Sequence, residues 1–202
     1  MTKIKLCGLR RPSDIEAANE LKPDYIGFVF AAGRRRCVSP EKARELKRLL
    51  ASPIEAVGVF IDEMPEKVAA LLEEGTIDLA QLHGSEDETY IRTLRRMTKK
   101  PLIRAFQIGP GFDAREVSGC SAVYILLYYG TGSGAFFDWS LAAAVQRPYF
   151  LAGGLDPGNV GDAIRALHPF AVDVSSGIET DGWKDKEKMT AFVENARKEL
   201  QS

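Results

Sequence analysis

Residues 149–177 read YFLAGGLDPGNVGDAIRALHPFAVDVSSG. Two short apolar runs, 149–152 and 171–174, bracket a segment of helical period, 157–167. Short runs rich in aromatic and β-branched side chains suit strands, and a helix between two strands is the crossover that parallel pairing requires. Glycines crowd behind each run, Gly153-Gly154 after the first and Ser175-Ser176-Gly177 after the second. Backbone without side chains lets N–H groups approach an anion closely. In barrels of eight βα units the phosphate sits behind the seventh and eighth strands. The fold therefore turns on whether six more βα units precede this stretch.

They do. Candidate strands lie at 4–7, 25–30, 55–61, 78–82, 102–107 and 123–128, which with the two above makes eight. Helical segments fall at 13–21, 40–50, 65–74 and 87–97, and a last one runs from about 186 to 200. Pro12-Ser13, Ser39-Pro40, Met64-Pro65 and Asp156-Pro157 supply a proline or a capping oxygen at helix starts. The period fades at 109–119 and 130–135, which read as loops. Runs such as IGFVF and VGVFI are almost wholly apolar, as in parallel strands covered on both faces. A repeat of roughly 25 residues without a linker predicts one domain over 1–202, a single (β/α)8 TIM barrel. The competing arrangement is an open doubly wound sheet, but no GxGxxG follows the first strand.

Composition narrows the function. The chain has 202 residues, 27 basic and 28 acidic, so its net charge of -1 favours neither nucleic acid nor an acidic membrane surface. Hydrophobic residues make up 45%, enough for one core. Cys7, Cys37 and Cys120 are odd in number and lack CxxC spacing, which argues against a disulfide framework and a zinc site. The start, Met-Thr-Lys-Ile-Lys, does not lead into a signal peptide, and no run approaches the roughly 20 apolar residues of a membrane span. A cytoplasmic protein acting on a small phosphorylated molecule is expected, as monomer or homodimer.

Barrel chemistry sits at strand C-termini. The side chains there are Cys7, Arg34-Arg35-Arg36, His83, Tyr128 and Asp173, with the two glycine clusters. Cys7 reads either as a thiolate base or as a buried core cysteine. The arginines suit a carboxylate, through two parallel bonds, or form a solvated loop. His83 has no second histidine at metal-binding spacing.

As a set these residues are similar to the phosphoribosylanthranilate isomerases of tryptophan biosynthesis. The matching segments are KIKLCGL, DYIGFVF with RRRCVSPEKAR behind it, VGVFIDE, AQLHGSE, GTGSGAFFDWSL, FLAGGLDPGNV and PFAVDVSSGIE. The resemblance implies an Amadori rearrangement of an aminoaldose to an aminoketose, without metal or organic cofactor. It makes Cys7 the general base and places Arg36 on the anthranilate carboxylate. Phosphate falls to Gly153, Gly154, Ser175, Ser176 and Gly177, with His83 and Asp173 beside the substrate.

The chain departs from the family at the general acid. The family carries Ile-Leu-Leu-Asp at the end of the sixth strand; here Ile125-Leu126-Leu127 is followed by Tyr128, and the loop behind is a few residues shorter. A phenol of pKa about 10 is a far weaker acid than a carboxyl group of pKa about 4. Three outcomes are open: Tyr128 or another group such as Asp173 serves as the acid, the barrel is disabled but keeps its phosphate site, or it is redirected to a different reaction that uses Cys7 and a phenol. The alternative from another class is a disabled or repurposed barrel that binds phosphosugars without isomerising them. A histidine-pathway aminoaldose isomerase is disfavoured, because such sites use paired aspartates and Cys7 replaces one.

Overall fold

The computed structural model describes residues 1–129 and 139–199. Eight parallel strands close into a barrel in strict chain order. The strands are β1 (Lys3–Cys7), β2 (Tyr25–Val29), β3 (Glu55–Phe60), β4 (Leu79–Leu82), β5 (Leu102–Ile108), β6 (Tyr124–Tyr129), β7 (Tyr149–Ala152) and β8 (Ala171–Val174). The helices behind them are α1 (Pro12–Leu21), α2 (Pro40–Leu49), α3 (Pro65–Glu73), α4 (Glu88–Met97), α5 (Ala114–Ser118), α6 (Trp139–Ala143), α7 (Val160–Leu167) and α8 (Lys186–Lys198). The (β/α)8 expectation holds, and β1 pairs with both β2 and β8 to close the ring. Part of 109–119, expected as loop, forms the five-residue helix α5. The whole of 130–135, also expected as loop, and the GTGSGAFFDWSL segment up to 138 lie outside the described residues.

Local chemistry explains the helix starts. Proline stands at the head of α1, α2 and α3, where its missing N–H costs nothing. Ser39 Oγ accepts from Lys42 N at 3.2 Å to cap α2. The fourth expected start moves. Asp156 instead closes a turn by accepting from Gly158 N and Asn159 N, and α7 begins three residues later than the proline implied, at Val160. An Asx turn competes with helix for the same backbone donors.

The apolar strands serve two cores. Leu6, Ile26, Phe28, Leu82, Leu127 and Leu151 face the helices, whereas Val57, Leu79, Ile103, Leu126 and Phe150 fill the barrel. Both faces are dry, so the two-residue alternation is one of size and chemistry more than polarity. Tyr25, Tyr124, Phe150 and Phe170 pack ring on ring with centroids 5.2–5.9 Å apart, within the cluster that fills the interior.

One element carries a signal that strand counting passes over. A hairpin of β9 (Glu179–Thr180) and β10 (Trp183–Lys184) follows a single 3-10 turn, Ser176–Ile178. Its two central residues, Asp181 and Gly182, have φ of 51° and 80°. Asp-Gly between two extended pairs is a type I′ hairpin signature.

Candidate active site

The mouth is built on β1. Cys7 ends that strand and lies opposite Gly27 in the β1–β2 register. A Cβ on Gly27 would stand 2.6 Å from Cys7 Sγ, so the thiol occupies space that only glycine leaves. Two residues earlier on the same face, the fully buried Lys5 pairs with Asp173 of β8, Nζ to Oδ2 2.6 Å. Barrel closure makes these strands neighbours, with Lys5 in register with Asp173 across 168 residues. The second carboxylate oxygen, Oδ1, is buried without a partner among the described residues. Burial disfavours the Lys5 charge, but Asp173 and Cys7 outweigh it and hold the ammonium above the ordinary lysine value. Burial pushes the Cys7 thiol up. The Lys5 and Lys184 charges oppose that rise and Asp173 adds to it, leaving a net upward shift.

On the other side of the mouth, the Tyr128 ring lies against the His83 ring, centroids 4.4 Å apart and 30° from parallel. The Gln81 side-chain amide and His83 Nδ1 are hydrogen-bonded at 2.9 Å, which fixes the plane of the imidazole. Burial, reinforced by the positive Lys5, drops the His83 pKa to about 4. His83 is therefore neutral at physiological pH, a hydrogen-bonding ring and not a cation. This has a consequence for stability. The unfolded histidine titrates near 6.5 while the folded one resists protonation, so the unfolded state binds the extra proton. Stability from this group is complete above about pH 6.5 and falls as pH drops toward 4, by on the order of 3 kcal/mol. Urea unfolding at pH 7 and pH 4.5 should show that loss in the parent and a smaller one in His83→Gln.

The glycine clusters border the same opening. Gly153 has φ of 86°, and a Cβ there would be 2.6 Å from the Tyr129 carbonyl oxygen, so the turn admits only glycine. Ser175 Oγ donates to the Cys7 carbonyl at 3.1 Å, tying the loop after β8 to the end of β1. Cys7, His83, Tyr128 and Asp173 thus gather with the two loops. Arg36 reaches the rim but is already engaged: its Nε and Nη2 donate to Glu179 at 2.6 and 2.8 Å. Cys37 is exposed, Cys120 is buried, and all three cysteines are free thiols.

Lys5, Gln81, Glu179 and Lys184 did not emerge from the sequence. Lys5 had a signal, since it shares the inward face of β1 with Cys7 at a spacing of two. Glu179 and Lys184 had one in the Asp-Gly turn that brings them together. Among the described residues no three His, Cys, Asp or Glu side chains are placed to hold a metal ion. No described helix is long and apolar enough to cross a membrane.

A thiol, an ammonium–carboxylate pair, a neutral imidazole and a phenol at the C-terminal mouth define a (β/α)8-barrel enzyme with acid–base groups on its strand ends. The family model for N-(5′-phosphoribosyl)anthranilate isomerase matches residues 4–195. An isomerase of that name from Endomicrobium trichonymphae is 42% identical over 200 residues, covering 98% of this chain and 99% of its own. The crystal structure of the Thermotoga maritima enzyme superposes with a TM-score of 0.88 at 35% identity, over 98% of this chain and 100% of that one. A further structure, holding reduced 1-(o-carboxyphenylamino)-1-deoxyribulose 5-phosphate, gives 0.85 at 33% identity, over 98% and 100% of the two chains. The chain belongs to the N-(5′-phosphoribosyl)anthranilate isomerase family.

Proposed function

We propose that this protein isomerises N-(5′-phosphoribosyl)anthranilate with Cys7 as general base and Tyr128 as general acid. The observation that carries the reading is the Cys7 thiol at the end of β1, between the Lys5–Asp173 pair and the loop of Ser175. Tyr128 protonates the furanose ring oxygen as the C1–O bond breaks, and the anthranilate nitrogen lone pair forms the Schiff base. The Cys7 thiolate then takes the C2 proton, and the enolamine tautomerises to the aminoketose. Lys5 and Lys184 stabilise the thiolate against burial. His83 offers its free ring nitrogen and Asp173 its unpartnered Oδ1 to substrate hydroxyls. The 5′-phosphate lies against Gly153, Gly154, Ser175, Ser176 and Gly177, and Arg36 takes the anthranilate carboxylate. The free thiol at the centre suits a reducing cytoplasm.

The test is fluorescence-monitored turnover of freshly generated N-(5′-phosphoribosyl)anthranilate across pH. The Cys7 thiol sits above its ordinary range, so the thiolate fraction should grow tenfold per unit through neutrality. We expect log kcat/KM to climb with a slope near one from about pH 6 to about pH 9. A flat profile in this range would remove Cys7 from the role of base.

The replacement of the family's acid supports a second reading, a barrel that binds the phosphosugar without isomerising it. Binding of the reduced product analogue without measurable turnover would favour it.

A further inference from the structure

The geometry points to Glu179 as the positioning residue for recognition of the substrate carboxylate, holding the Arg36 guanidinium from behind. This rests on the assignment of that carboxylate to Arg36. Glu179 lies on β9, 143 residues from Arg36, and its side chain is 6% exposed. Four hydrogen bonds converge on it: Arg36 Nε at 2.6 Å and Nη2 at 2.8 Å, Arg35 Nη2 at 2.5 Å, and Lys184 Nζ at 2.8 Å.

Burial works against its charge, yet the bonds from Arg36 and Lys184 prevail and hold its pKa at about 2. It is an anion at any working pH. Nor does an incoming carboxylate displace it. Leaving would strip Lys184, whose side chain is 2% exposed, of a charged partner. Lys184 is fixed in turn by Ser175, donating to its carbonyl at 2.8 Å, and Arg10 holds the Arg35 carbonyl at 2.7 Å.

A guanidinium presents two forked edges. Glu179 occupies the Nε–Nη2 edge, while Nη1 makes no hydrogen bond among the described residues. The outer edge is left for a ligand, and the side-chain freedom of Arg36 is removed before the ligand arrives. Three cations around one carboxylate leave a net positive rim, so Glu179 orients Arg36 without cancelling its pull on an anion.

The test uses binding, so it stands whatever the turnover. Calorimetric titration compares reduced 1-(o-carboxyphenylamino)-1-deoxyribulose 5-phosphate with its phenylamino counterpart, which lacks the ring carboxylate. The parent prefers the carboxylated analogue. Glu179→Gln should cut that preference about tenfold, leave affinity for the carboxylate-free analogue within about twofold, and be partly rescued by Glu179→Asp. Equal losses on both analogues would assign Glu179 a structural role and overturn the proposal. So would an unchanged or increased preference. Arg36→Gln separates the two layers: if it abolishes the preference while Glu179→Gln keeps it, only the role of Glu179 fails. If the parent shows no preference, the Arg36 assignment itself fails. Should Glu179→Gln not fold, Glu179→Asp carries the comparison, with an intermediate loss expected.

Discussion

Tyr128→Asp raises turnover of N-(5′-phosphoribosyl)anthranilate by about 10²-fold or more. A positioned general acid contributes about 10²–10⁴-fold, and the phenol is a poor donor to a weakly basic ring oxygen. β6 pairs with β7 through Tyr128 and Ala152, and Ala152 pairs with Asp173, so position 128 belongs to the belt that holds the Lys5–Asp173 pair. The substitution also removes the ring stacked on His83 at 4.4 Å, which trades some packing for a stronger acid. A modest fall in Tm is the expected companion. The assay is single-substrate turnover at neutral pH, with the reduced product analogue titrated alongside. A rate that stays level while binding is retained would mean that another group, Asp173 first, already protonates the ring oxygen.

Cys7→Ala, made in the Tyr128→Asp protein so that the decline is measurable, lowers kcat by about 10²–10⁴-fold. The base is the only group in the proposed mechanism that takes the C2 proton. Alanine removes a buried sulfur that Gly27 makes room for, and the strand register is untouched. Affinity for the reduced product analogue should therefore hold within about threefold, since the proposed phosphate and carboxylate contacts lie on other residues. A parallel loss of binding and rate would make Cys7 a packing residue. The core-cysteine reading, open from spacing alone, would then stand.

The imidazole, the ammonium pair and the Glu179 carboxylate are held in three different charge states. Lys5 is held cationic by Asp173, Glu179 anionic by Arg36 and Lys184, and His83 uncharged by burial. Such divergent environments within one mouth are how a single site supplies acid, base and anchor at neutral pH.

Much of this was written in local pattern. Apolar runs such as Tyr149–Ala152, helix starts at Pro12, Pro40 and Pro65, and glycines at 153 and 154 each depend on neighbours within a few residues. Burial on two faces, fixed φ and positive φ are properties of short segments, so the eight βα units, the single barrel and the mouth position of Cys7 were legible in the chain. The true start of the helix expected from Pro157 was not, because the Asp156 turn claims the same donors. Partnership was decided by the tertiary structure alone. Lys5 meets Asp173 only because closure sets β1 against β8, and Arg36 meets Glu179 only because a hairpin returns over the rim. Tyr128 meets His83 because β4 and β6 face one interior. Which charges and rings touch depends on strand register and ring closure, which act across 143 and 168 residues and leave no periodic trace in the sequence.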